Sequence, residues 1–147
     1  MDNKQMRTAL TWLGIGLVVF LIARRTAAKV SIGGASVRIH KLTFDGVELR
    51  IDIPVINESD IPAPVSAFLG QIYYGINPIG LVTLVNPVYL PGFGQKVVTF
   101  AAKLSLLAIG QQVYSILTNP PVDWSKFRIQ GTLKIGPLPI DINEPLT

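Results

Sequence analysis

Nine residues, Val47 to Val55, constrain the fold of this chain most. In VELRIDIPV the apolar side chains Val47, Leu49, Ile51, Ile53 and Val55 alternate strictly with Glu48, Arg50, Asp52 and Pro54. Strand side chains repeat every two residues, so this stretch lays one face on a core and turns the other to water. Phe127 to Ile135 (FRIQGTLKI) repeats the pattern, with Phe127, Ile129, Leu133 and Ile135 on one face and Arg128, Gln130, Thr132 and Lys134 on the other. Strands of this kind need further sheet to cover their apolar faces.

The sequence around them supplies it. Val30 to Ile32 is a short strand closed by Gly33-Gly34, and Val37 to Phe44 is a longer one ending at an Asp45-Gly46 hairpin turn. Pro54 cannot donate to a ladder, which puts its end of the strand at an edge or a bulge. Asn57-Glu58-Ser59-Asp60 reads as a turn and Ile61 to Pro64 as stiff extended chain. Val65 to Tyr74 is a strand in which Gly70 marks a bulge or a close approach. Asn77-Pro78 and Gly80 signal a turn before a strand over Leu81 to Val85. Lys96 to Leu104 and Leu138 to Ile142 complete the strands. Leu106, Ile109, Val113, Ile116 and Leu117 recur at helical spacing, and Asn119-Pro120-Pro121 ends that helix. Seven or eight strands with one late helix predict a mainly β domain, an antiparallel sandwich of the immunoglobulin or fibronectin kind.

The N-terminal part is of a different character. Thr8 to Ala23 (TALTWLGIGLVVFLIA) has no charge, with Arg7 before it and Arg24 and Arg25 after it. As a helix it would span roughly 24 Å, a little short of the ~30 Å hydrocarbon core, a gap that snorkelling basic side chains can close. The sequence therefore predicts residues 1–29 as a single-pass membrane anchor and basic linker, and residues 30–147 as the β domain. Trp12, Leu13, Ile15, Leu17, Val18, Val19, Phe20, Leu21 and Ile22 would face lipid, and Arg7, Arg24, Arg25 and Lys29 the headgroups. A cleaved signal peptide is the alternative; Arg24 and Arg25 between the run and Thr26-Ala27-Ala28 oppose it. The basic residues after the run outnumber those before it, which favours the domain on the cytoplasmic or interior face.

Charge and composition exclude several function classes. Residues 1–29 hold five basic side chains against Asp2, whereas residues 30–147 hold eight of each sign. The whole excess of +4 thus flanks the apolar run, a pattern suited to anionic headgroups and not to a nucleic-acid groove. There is no cysteine, hence no disulfide and no thiolate chemistry. His40 is the sole histidine, mid-strand and without an obvious nucleophile. Asp45, Glu48 and Asp52 are the closest acidic grouping; Glu48 and Asp52 sit about 13 Å apart along one strand face, too far for one ion. Glu58 and Asp60 are ordinary turn residues. Gly92-Phe93-Gly94 lacks the Lys-Ser/Thr and the helix of a phosphate loop. No catalytic residue, cofactor, metal or small-molecule substrate is expected.

One stretch could carry contacts. Ile76 to Phe93 (INPIGLVTLVNPVYLPGF) has no charge. It is either a buried strand with its turns or an apolar surface, formed by Leu81, Val82, Leu84, Tyr89, Leu90 and Phe93, that meets lipid or a protein partner. The aromatic residues Phe68, Tyr73, Tyr74, Tyr89 and Phe93 are read first as core filling, with a lipid or partner surface as the alternative.

The order of features resembles the LEA type 2 (LEA14-like, or WHy) domain. The resemblance is carried by SVRIHKLTFDGVELRIDIPVIN (36–57), PVSAFLGQIYYG (64–75), the late helix, and Ile129-Gln130-Gly131-Thr132-Leu133; it extends over residues 30–142. Where the family often has Asn-Pro, Asn57 here precedes Glu58. The resemblance implies a compact β-sandwich without enzyme activity, often behind a membrane helix, with links to desiccation protection, membrane association and lipid binding. The functional expectation is a non-enzymatic membrane-anchored binding or structural protein. The alternatives are a structural subunit of a membrane-containing assembly, such as a cell-envelope complex or a virion, and a lipid-binding or stress-protection domain.

Overall fold

The computed structural model describes residues 30–147. The expected anchor and its headgroup-facing residues lie outside the described residues. The elements are β1 (Val30–Ile32), β2 (Ser36–Thr43), β3 (Gly46–Asn57), β4 (Ala63–Tyr74), β5 (Asn77–Leu84), β6 (Val88–Leu90), β7 (Gln95–Ser105), α1 (Leu106–Thr118), a 3-10 turn (Trp124–Lys126), β8 (Phe127–Ile135) and β9 (Leu138–Pro145).

The protein is mainly β, antiparallel, with one helix among the described residues. Its nine strands form one continuous hydrogen-bonded sheet in the order β1-β3-β7-β5-β4-β8-β9, with β2 also on β3 and β6 also on β4. Where a sandwich divides its strands between two sheets, here β5 joins two wings: Val82 pairs with Gly70 of β4 and with Ala102 of β7. The sheet curls until its far edges meet. Ala35 bridges Leu146, Thr147 N–H donates to Ala35 O at 3.0 Å, and Val37 N–H donates to Thr147 O at 3.1 Å.

The alternation in β3 explains its central place. Val47, Leu49, Ile51, Ile53 and Val55 are all buried, joined from the other wing by Val65, Phe68, Ile72, Phe127, Ile129 and Leu133 in a single core. The rings of Phe68 and Phe100, on strands separated by β5, meet edge to face with centroids 4.8 Å apart. Gly70 and Gly131 make room for this: a Cβ on Gly131 would lie 2.5 Å from Phe68 Cζ and 2.6 Å from Gly70 Cα. Gly70 is thus a close approach, one of the two expectations for it. Pro54 sits in β3 with its carbonyl accepting from Gly33 N–H, so its missing N–H faces the break between β1 and β2.

α1 closes one end of the curl. Ser105 caps it, its Oγ accepting from Ala108 N–H at 3.1 Å, and Ile109, Val113 and Leu117 turn into the core. The helix is broken at Gly110 (φ 78°), which periodicity did not signal because Ile109 and Val113 keep helical spacing across the break. Another departure from the expected elements is at Asn77-Pro78 and Gly80. They belong to β5, and the turn is at Gly75-Ile76, one residue pair earlier.

Candidate functional site

His40, Glu48, Arg50, Arg38 and Asp52 share the outward face of β2 and β3. Glu48 lies 3.7 Å from Arg50 and 3.8 Å from His40, while Asp52 takes Arg38 on one oxygen and the Thr99 hydroxyl on the other at 2.7 Å. Asp52 is thus held by donors on both neighbouring strands and Glu48 faces Arg50 of its own strand, an arrangement that stabilises a sheet face. Among the described residues no three His, Asp or Glu side chains group as metal ligands.

The uncharged stretch from Ile76 to Phe93 divides by strand face. Val82 and Leu90 are core residues, 1% and 0% exposed, which removes them from the expected contact surface; Leu84 is half-buried against the same core. Leu81, Tyr89 and Phe93 are exposed. The alternation of β5 and β6 sends Leu81 and Tyr89 outward and their neighbours inward. The structure does not gather these three side chains into one patch. Leu81 stands beside Leu69 on the outer face of β4 and β5, along an open groove of about 530 Å³ that Gln71, Tyr73, Thr132 and Asn143 also line. Tyr89 faces out opposite Pro64, and Phe93 sits on the loop after β6.

That loop is held by several bonds from a neighbouring turn. Phe93 is 76% exposed yet has a left-handed backbone (φ 52°), uncommon for a bulky residue. It is fixed from the Asn57–Ile61 turn. Asn57 Nδ2 donates to Ile61 O at 2.8 Å and to Pro91 O at 3.2 Å, and Asn57 Oδ1 accepts from Ser59 N–H at 3.0 Å and Ser59 Oγ at 2.7 Å. Phe93 N–H donates to Ser59 O at 2.7 Å, and Asn57 N–H to Gly94 O at 2.8 Å. A Cβ on Gly92 would stand 2.5 Å from Asp60 O, so the two loops touch backbone to backbone. Asn57 and Ser59 are the buried polar side chains among the described residues. The sequence marked this turn; the signal for its burial was the Asx pattern of Asn57 followed two residues on by Ser59.

Sequence reasoning missed a second set. Phe44 in the β2–β3 turn, Ile76 in the β4–β5 turn and Leu107 in the first turn of α1 are 90%, 91% and 97% exposed. All lie at the end of the sheet opposite Phe93. Among the described residues no helix is long and apolar enough to cross a membrane.

No family model and no curated protein matches the sequence. Solved structures do. A crystal structure of a protein from Archaeoglobus fulgidus is 16% identical with a TM-score of 0.55, over 77% of this chain and 90% of that one. The fold is shared. The solution structure of a protein named as a candidate late embryogenesis abundant (LEA) protein is 18% identical with a TM-score of 0.49, over 95% of this chain and 83% of that one.

Proposed function

We propose that the protein is a non-enzymatic, single-pass membrane protein that holds a neutral β domain beside a bilayer for binding or structural support. The observation that carries this reading is the partition of charge: an uncharged run over 8–23 closed by basic residues, followed by a domain with eight charges of each sign. In this reading residues 1–29 are the anchor and linker, residues 30–147 the domain, and the domain faces the cytoplasm or interior. Arg50 facing Glu48 and the Thr99 hydroxyl on Asp52 fit a surface without catalysis. We place the domain with the LEA type 2 family. The family pattern falls on residues with structural duties here: Asn57 joins two loops and Gly131 receives the ring of Phe68. Alkaline carbonate extraction of membranes holding the full chain tests the anchor. The chain should stay in the pellet, and release into the supernatant overturns the reading.

A second reading, a structural subunit of a membrane-containing assembly, is favoured by the outward pair Leu69 and Leu81 on adjacent strands. Native mass determination after mild solubilisation separates the two, since a strict monomer counts against an assembly.

A further inference from the structure

We propose that the end of the domain bearing the Pro91–Gly94 loop rests on the bilayer with the ring of Phe93 inserted among the headgroups; the proposal builds on the anchor reading. The length of the tether decides which end can reach. β1 enters the sheet with Val30 paired to Asn57, whose own N–H donates to Gly94 O at 2.8 Å, so the chain joins the domain beside this loop. Only residues 24–29 separate the apolar run from β1, and six residues reach at most about 22 Å. β3 carries twelve residues from Asn57 to the opposite end, about 40 Å at strand rise. A domain upright on its far end would hold Val30 about 40 Å from the bilayer, beyond the tether, so Phe44, Ile76 and Leu107 cannot form an upright resting end, while the end bearing Phe93 can.

The loop is built for contact. An aromatic ring that is mostly exposed, in a backbone conformation unfavourable for it, persists only because Asn57 and Ser59 clamp the loop from inside. The clamp holds the ring out without freedom to fold back, which lowers the entropy lost on insertion. Aromatic side chains favour the headgroup level of a bilayer. Exposed Lys96 lies three residues after Phe93, a cation suited to anionic headgroups. Glu58 and Asp60, exposed on the adjoining turn, limit entry to the ring itself.

The chain has no cysteine, so Phe93→Cys and Phe44→Cys each give one labelling site. The full chain, carrying a polarity-sensitive fluorophore at one site, is reconstituted into vesicles of phosphatidylcholine and phosphatidylglycerol. Emission at position 93 should shift to the blue and lose most of its intensity to a lipid spin-labelled near the headgroup, while position 44 does neither. A chain that floats with the vesicles but keeps position 93 in water overturns this proposal alone. So does a blue shift at position 93 without lipid quenching, which means a protein surface, such as a second copy, covers the ring. A chain that fails to float overturns the anchor reading and this proposal together.

Discussion

Asn57 Nδ2 donates to the carbonyl of Pro91 at 3.2 Å, across 34 residues of sequence, and so ties the end of β3 to the loop after β6. The same side chain holds Ile61 O and accepts from Ser59, with every atom involved inside the fold or at its margin. Replacing Asn57 by Ala removes four hydrogen bonds, at about 1 kcal/mol each, and takes the acceptor from the buried Ser59 N–H, while Ile61 O keeps the Ser59 hydroxyl and Pro91 O keeps Gly94 N–H. A buried orphan costs about 1–3 kcal/mol. Asn57→Ala should lower unfolding free energy by about 3 kcal/mol in urea titration with an unchanged slope. A loss under about 0.5 kcal/mol, the level of an ordinary surface site, would show the clamp to be decorative.

Gly131 faces the ring of Phe68 and the backbone of Leu69 and Gly70, all within 2.6 Å of where a Cβ would stand. The ring can move; the backbone of β4, paired residue for residue with β8, cannot. Gly131→Ala should cost about 1–3 kcal/mol as overpacking. Adding Phe68→Leu should recover only part of that cost, since the ring is only one of the obstacles. A double-mutant cycle by thermal unfolding reads the coupling; full recovery would mean that the strand yields and the fit is looser than it looks.

Leu90 and Tyr89 are neighbours with opposite surroundings, one fully buried and the other open to solvent. Leu90→Asp puts a charge in the core and should abolish cooperative unfolding or cost more than about 4 kcal/mol. Tyr89→Asp should change stability by about 0.5 kcal/mol or less. Circular dichroism melts of the two variants decide whether the uncharged stretch divides face by face.

Local signals were the legible ones. β8 keeps its expected bounds, Phe127 to Ile135, because its alternation is unbroken and a turn flanks each end. β6 escaped notice because three residues between Pro87 and Pro91 are too few for any period to show. The closure of the sheet rests on Ala35 and Leu146, which local patterning cannot bring together. Exposure of Phe44, Ile76 and Leu107 was equally hidden, since an apolar residue in a turn looks the same whether it folds under or points out. The clamp at Asn57 was half visible: turn chemistry announced itself, and its distant partner Pro91 did not.

Asp123 caps the 3-10 turn before β8. Its carboxylate is held below the usual aspartate range, first by the Ser125 hydroxyl and then by the Ser125 N–H at 3.0 Å. With the folded value depressed, the cap contributes stability above the unfolded aspartate value, and the contribution is lost as pH falls through the lower folded value. NMR titration should place Asp123 below an ordinary aspartate, and Ser125→Ala should return it upward. Asp123→Asn should flatten the acid side of the stability profile locally; an unmoved titration midpoint in Ser125→Ala would remove the hydroxyl as the cause.

Phe93 sets stability against contact. A bulky side chain at positive φ costs about 1–3 kcal/mol, and Asn is among the residues that tolerate this region best. The ring is mostly exposed, so its removal surrenders little burial. Phe93→Asn should therefore raise unfolding free energy, by about 1 kcal/mol, while every hydrogen bond of the Asn57 clamp stays in place. A surface aromatic that weakens its own fold needs a use outside it, and the proposed bilayer contact is one. If the variant is instead less stable than the parent in urea titration, the ring is packing against the domain, and the case for an outward-facing contact fails with it.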